Sequence, residues 1–367
     1  MIFRKFMLPT LAAAMVAVTA VAAIACGDDD DDEDAPAVAA AQGPSSQQSA
    51  GQAGAPSATA AADAEPYKGK KLRFGLLPSE DAEKVLTEAK HLEGYLEEAL
   101  PGLAVDLFIG PSYATTIEAM KEGSVDFAYF GPFSYYIARE TGAKAEAVVA
   151  FQEGTTTPGY YSIIYARKST GITSLDSLKG KETSVNWALV DPGSTSGNLA
   201  PRGMMFDAGL DVGAIDTKLV YAGGHDKSAI ATANNQTQVG ASYEAMLYDL
   251  CKKGIIPGIK DVAGGGQTPG DCGDPNADGA LVLLRKFLLP ASPIAYRSTM
   301  DEKLSKAVID ALLTWHEKDP EGFAKFAEIT DGKTAKDTKM VAYDHSNFTQ
   351  IEAMCSRPEL KDVCPKK

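Results

Sequence analysis

The sequence predicts an α/β protein of two lobes, joined by two extended crossings and preceded by a long non-globular segment. Three observations predict it. From Tyr67 onward, short runs rich in Val, Ile, Phe and Tyr alternate with amphipathic stretches, the pattern of strands and helices in α/β units. About 300 residues follow that point, enough for two compact lobes. Two extended stretches, Tyr160 to Arg167 and Leu281 to Arg297, fall where a chain would leave the first lobe and return to it. The expected boundaries are 67–165 for the first part of lobe 1, 166–285 for lobe 2 and 286–367 for the largely helical remainder of lobe 1.

The elements follow in order. Leu72 to Leu77 is a strand, and Glu80 to Leu100 a helix closed by Pro101-Gly102. Val105 to Ile109 is a strand, Thr115 to Lys121 a short helix and Val125 to Phe130 a third strand. Phe133 to Glu140 is helical, and Ala145 to Phe151 extended. In the second lobe, strands are expected at Thr183–Trp187, Lys218–Ala222 and Val239–Tyr243. Helices are expected at Ser196–Ala208, Asp226–Asn234 and Glu244–Cys251. From Asp301 to about Ser356 the chain reads as mostly helical.

The N-terminal segment carries an address. Arg4 and Lys5 precede the uncharged, mostly apolar run Met7 to Ile24, and small residues lead into Cys26. This is the form of a secretory signal over residues 1–26 with lipidation at Cys26. An uncleaved membrane helix is the competing reading, since about 18 apolar residues is borderline for a bilayer span. Seven acids, Asp28 to Asp34, and an Ala/Gln/Ser/Gly-rich stretch to about residue 66 form a tether too polar to build a core. Calcium binding by the acids lacks a ligand-spacing motif.

The formal charge of −14 argues against nucleic acid as a partner, which would call for clustered Lys and Arg. It does not forbid an anionic ligand, because a buried anion is held by local donors and dipoles. With Cys26 lipidated, four cysteines remain. Outside the cytoplasm Cys251, Cys272, Cys355 and Cys364 read as disulfides 251–272 and 355–364, with the other two pairings still open. Zinc is the rival, but no Cys-x-x-Cys pair or adjacent His supports it, and neither a metal nor a cofactor is expected.

Three signals carry chemistry. Asp191-Pro192-Gly193-Ser194-Thr195-Ser196-Gly197 runs into a helix, bringing hydroxyls and unsatisfied N–H groups to one helix N-terminus. Gly223-Gly224-His225-Asp226 opens the next helix after a strand, where an imidazole can donate to an oxyanion. Tyr113, at the head of a first-lobe helix, and Tyr129-Phe130, ending a strand, lie on the edge that should face the cleft. Each signal alone is also an ordinary cap, a structural histidine or core packing; together they point to an anion site. A hydrolase reading fails on pattern. Thr195 rather than a serine centres the elbow, and Asp226 adjoins His225 in sequence, so the two do not face each other on a helix.

Several phrases occur in order between Tyr113 and Asp226: Tyr113-Ala114-Thr115-Thr116-Ile117-Glu118-Ala119-Met120, Val125-Asp126-Phe127-Ala128-Tyr129-Phe130-Gly131, Pro158-Gly159-Tyr160-Tyr161-Ser162, the Asp191–Gly197 turn and Gly224-His225-Asp226. In these the stretch from about Leu72 to Arg297 resembles the PhnD-type phosphonate-, phosphite- and phosphate-binding proteins of ABC importers. The resemblance implies a type II periplasmic-binding fold closing on its ligand. It assigns ligand contacts to Ser194, Thr195, His225 and Tyr113, with Ser196 adding a backbone N–H. It further implies ABC permease subunits as partners and a place outside the cytoplasm; the N-terminal signal adds a tether to a bacterial membrane at Cys26, and a monomer is expected.

Departures from the family pattern bear on the ligand. The acid that aminoalkylphosphonate binders carry in the return crossing falls on Ser292, a second falls near Glu244, and a pocket tyrosine corresponds to Phe130. An ammonium buried without its carboxylate is costly, so methylphosphonate, phosphite or phosphate is expected over aminoalkylphosphonates unless Glu244 enters the cleft. Asp191 is the candidate acceptor for a protonated oxyanion, which would exclude sulfate. A periplasmic sensor domain and a non-transport surface lipoprotein are the alternative readings.

Overall fold

The computed structural model describes residues 65–268 and 270–366. The signal, Cys26 and the tether lie outside the described residues. The first sheet is laid down by β1 (Lys71–Leu76), α1 (Ala82–Ala99), β2 (Ala104–Ile109), α2 (Tyr113–Lys121), β3 (Phe127–Tyr129), α3 (Pro132–Glu140) and β4 (Ala145–Glu153). Asp81 and Ser112 cap α1 and α2 by accepting from the backbone N–H of Lys84 and Thr115. Pro132 opens α3, where its missing N–H costs nothing.

The chain then builds a second sheet. It comprises β5 (Gly159–Arg167), β6 (Trp187–Leu189), α4 (Ala200–Asp207), α5 (Val212–Asp216), β7 (Leu219–Tyr221), α6 (His225–Ala233), β8 (Val239–Tyr243), α7 (Glu244–Lys252), β9 (Gly258–Asp261), β10 (Cys272–Gly273) and β11 (Leu281–Pro290). It returns through β12 (Pro293–Arg297), α8 (Glu302–Lys318), α9 (Pro320–Asp331), β13 (Thr338–Ala342) and α10 (Thr349–Cys355). The sheet orders are β13-β4-β12-β3-β1-β2 and β10-β9-β11-β5-β8-β6-β7. Parallel pairing of β2, β1 and β3, and of β7, β6 and β8, points the C-terminal ends of these strands at the ligand edge.

Helices α1, α8 and α9 cover one face of the first sheet, with Tyr95 stacked on Trp315 at 5.2 Å. Trp187, Leu189 and Met205 centre a separate core behind the second sheet. A third cluster runs from Tyr113 and Phe133 through Tyr160 to Leu247. Both cysteine pairs are bonded, Cys251 to Cys272 and Cys355 to Cys364.

Three local expectations differ from the structure. The strand expected over Thr183–Trp187 starts at Trp187, since Glu182–Ser184 is a 3₁₀ turn whose Glu182 carbonyl accepts from the Trp187 indole. The C-terminal region contains a strand, β13, whose alternating burial seats Met340 in the core as it pairs with β4. The crossings lie between Glu153 and Gly159 and between Pro290 and Pro293, outside the expected boundaries at 165/166 and 285/286. The reason is that β5 and β11 pair from Gly159↔Pro290 to Arg167↔Leu281, which holds both strands in the second sheet. Gly159 is required there, because a Cβ would stand 2.7 Å from the Leu289 carbonyl oxygen.

Candidate functional site: a neutral anion pocket between the sheets

Strand ends from both sheets converge on a cavity of about 40 Å³. The first-sheet half supplies Leu77 and Ser79 beyond β1, Tyr113 at the head of α2, Tyr129 and Gly131 at the end of β3, and Thr330 in α9. The second-sheet half supplies Tyr160, the run Ser194-Thr195-Ser196, His225 and Tyr243, with Ser292 in the return crossing. Water-sized sites need roughly 10–15 Å³ each, so the space suits a compact ion of a few heavy atoms.

The serine-rich turn is locally forced. Thr195–Leu199 forms a π-helical turn that opens into α4, with Leu199 N–H donating to Ser194 O at 3.1 Å. Ser194 Oγ accepts from Gly197 N–H at 3.1 Å, and a Cβ at Gly197 would run into the Val190 side chain. Beneath the turn Asn198 donates to the Pro192 carbonyl, and Arg202 donates to Asn198 Oδ1 at 2.8 Å while pairing with Asp216. The hydroxyls are therefore set by a buried polar scaffold.

His225 is the first residue of α6 and is 4% exposed. Its Nδ1 lies 3.1 Å from Ser242 Oγ and its Nε2 3.5 Å from Ser194 Oγ. Burial pushes its pKa down to about 3, so at neutral pH the ring is uncharged, with one nitrogen donating and one accepting. Tyr113 is buried beside the Asp191 carboxylate; burial first and that charge second raise its pKa and keep the phenol a donor. Among the described residues no Lys or Arg lines the cavity. What faces the guest is hydroxyls, a neutral imidazole and the positive ends of two helical turns.

Hydrogen bonds tie the two halves around this space. His225 N–H donates to the Ser79 carbonyl at 2.8 Å, and Phe133 N–H to Thr195 Oγ1 at 2.8 Å. Tyr243 OH donates to Glu80 Oε1 at 2.9 Å, and Tyr113 N–H approaches Asp191 Oδ2 at 3.5 Å.

Tyr113, Tyr129, Ser194, Thr195, Ser196, His225 and Ser292 stand together on the wall. Three of the expected residues do not. Phe130 is wholly buried and its ring packs in the core instead of on the wall, while its backbone N–H bonds the Pro293 carbonyl. Asp191 holds the turn from behind, accepting from Gly193 N–H at 2.8 Å; burial raises its pKa.

Glu244 is drawn away by Lys286, whose Nζ lies 2.7 Å from its Oε1 and 2.8 Å from Asp261 Oδ2. Gln267 and Thr268 N–H groups donate to Glu244 Oε2 at 2.7 and 3.3 Å. The loop from Gly264 to Thr268 thus covers this ion cluster. Sequence reasoning missed Ser79, Tyr160, Tyr243 and Thr330; Ser79 lies just beyond β1 and Tyr243 ends β8, both strands running toward the cleft, the positional signal that could have found them.

The Ser194–His225 contact is not a triad, because the far imidazole nitrogen meets the Ser242 hydroxyl instead of a carboxylate. Among the described residues no group of three or more His, Cys, Asp or Glu is placed to hold a metal. No helix among them is long and apolar enough to cross a membrane.

Residues 74–340 match the family described as "ABC transporter, phosphonate, periplasmic substrate-binding protein". The chain is 28% identical over 272 residues to the "Phosphonates-binding periplasmic protein" of Escherichia coli, covering 71% of this chain and 73% of that one. It is 33% identical over 187 residues to the "Phosphate-import protein PhnD" of Mycolicibacterium smegmatis, covering 48% and 56%. Among solved structures, the binding protein of an ABC phosphonate transporter from Pseudomonas aeruginosa superposes with a TM-score of 0.62 at 20% identity, over 78% of this chain and 85% of the other. PhnD1 from Prochlorococcus marinus, in complex with methylphosphonate, gives 0.59 at 16% identity over 78% and 97%. These two show the type II periplasmic-binding fold.

Proposed function

Because this chain belongs to the periplasmic phosphonate-binding proteins of ABC transporters, we propose that its own ligand is a small phosphorus oxyanion without a cationic arm: phosphate, phosphite or methylphosphonate. The fate of Glu244 carries this reading. An aminoalkylphosphonate would need a carboxylate for its ammonium, and Glu244, at one of the two positions where one is expected, is already neutralised by Lys286 and two backbone N–H groups. At the other expected acidic position stands Ser292, which can donate to an oxygen. The cavity of about 40 Å³ also leaves little room beyond the tetrahedral head.

The phosphorus head would sit among Ser194, Thr195, Ser196, Tyr113 and His225. Each donor is oriented by the protein before the ligand arrives, which lowers the ordering cost of binding. The protein would act as a monomer, presenting its closed form to permease subunits from a membrane tether at Cys26. Cys26→Ser should move the protein from the membrane fraction to the soluble fraction.

Isothermal titration of the purified protein tests the ligand class with phosphate, phosphite, methylphosphonate, 2-aminoethylphosphonate and sulfate. Micromolar or tighter binding of one of the first three is expected, about −8 kcal/mol or better. Tightest binding by 2-aminoethylphosphonate would overturn the proposal.

A further inference from the structure

Next to the anion cavity lies a second, larger one of about 430 Å³. Its wall is apolar at Met246, Tyr248 and Ile329, and charged elsewhere, with Glu80, Lys84 and Lys325 among eight charged side chains in the lining. Tyr243 lines both cavities. On the facing loop between β1 and α1, Ser79 lines the small cavity and its neighbour Glu80 lines the large one. The partition is therefore built from one side chain of each half. Tyr243 OH donates to Glu80 Oε1 at 2.9 Å, and Lys84 holds the other carboxylate oxygen at 3.1 Å. Glu80 is 5% exposed. The Tyr243 ring meets the His225 ring edge-on at 4.8 Å, so the partition abuts a donor of the anion site.

From this arrangement we infer that the Tyr243–Glu80 pair is a size filter: it caps the substituent that a phosphorus oxyanion can carry by closing the anion cavity off from the larger one. A hydrogen, hydroxyl or methyl fits on the near side. A ring or long chain would have to pass through the position of the Tyr243 side chain, into space bordered by Met246, Tyr248 and Ile329. The large cavity is thus a ready substituent pocket held out of use. The inference rests on the phosphorus-anion reading of the small cavity and adds to it the substituent class.

The filter makes a selectivity, measurable as a ratio of affinities that general damage does not move. Methylphosphonate and phenylphosphonate share the head and differ in the substituent. Titration calorimetry of the wild-type protein should show methylphosphonate binding at least about a hundredfold tighter. Tyr243→Ala joins the cavities, and the phenyl-to-methyl affinity ratio should rise at least about tenfold. Tyr243→Phe keeps the ring, and its ratio should stay near the wild-type one.

If Tyr243→Ala does not fold by circular dichroism, Tyr243→Val removes the same ring while keeping more of the packing, and the same ratio is read. An unchanged ratio in the folded opening variant, with wild-type binding intact, overturns the filter alone. Equal affinity of the wild-type protein for both ligands does the same. Wild-type silence toward methylphosphonate, phosphite and phosphate overturns the anion reading and the filter with it.

Discussion

Two buried polar clusters lie in the second-sheet half, and they solve opposite problems. Around Lys286 one ammonium meets two carboxylates, Glu244 and Asp261, and backbone N–H groups of Gly264, Gln267, Thr268 and Gly270 occupy the remaining lone pairs. Around Ser194 the donors are uncharged and converge on space. The first cluster is closed on itself; the second faces a cavity. Charge buried in a protein has to be answered on the spot, whereas neutral dipoles can be left facing a cavity at a tolerable cost. A site that waits for an anion is therefore better built from hydroxyls and helix ends than from lysines.

The contrast breaks most sharply at Lys286. Lys286→Met leaves two carboxylates buried and unanswered, and should cost about 3–5 kcal/mol of stability in urea unfolding at pH 7. A loss below about 1 kcal/mol would mean that the cluster is not the closed ionic unit described.

His225 sharpens the comparison through pH. Its folded pKa is lowered to about 3 by burial, against about 6.5 when unfolded. Its contribution is therefore fully present above pH 6.5 and shrinks as pH falls toward 3, because only the unfolded chain takes up the proton. The slope is about 1.4 kcal/mol per pH unit. The difference in unfolding free energy between wild type and His225→Asn, followed from pH 7 to 4, should show that slope. A flat difference would place a charged imidazole in the pocket.

The smallest change is Ser194→Ala. Stability should fall by about 1 kcal/mol through the lost cap, while affinity for the anion falls about ten- to a hundredfold, the value of one unmatched buried donor or acceptor. Calorimetry paired with thermal unfolding separates the two effects.

How much of this the sequence discloses depends on distance along the chain. The alternation of strands and helices, the caps at Ser112 and Ser194 and the short-range cysteine pairs are local, and local pattern carries them. The Glu244–Lys286 and Glu80–Tyr243 contacts join residues 42 and 163 apart, and no periodicity announces them. Glu244 illustrates the limit. Its position near the cleft is readable from strand and helix order, but which way its carboxylate turns is decided by a lysine on a strand formed later. Likewise β5 and β11 look like connectors from their extended composition, and only their mutual register places them inside one sheet.

The cross-sheet bonds from His225 N–H to Ser79 and from Phe133 N–H to Thr195 carry a kinetic consequence. Each half alone presents only part of the donor set. On the proposed function, residence time would be governed by how often the halves part, and prying them apart would discharge the anion with no competing ion and no change of protonation. A receptor of that kind would hand over its load to whatever can bend it.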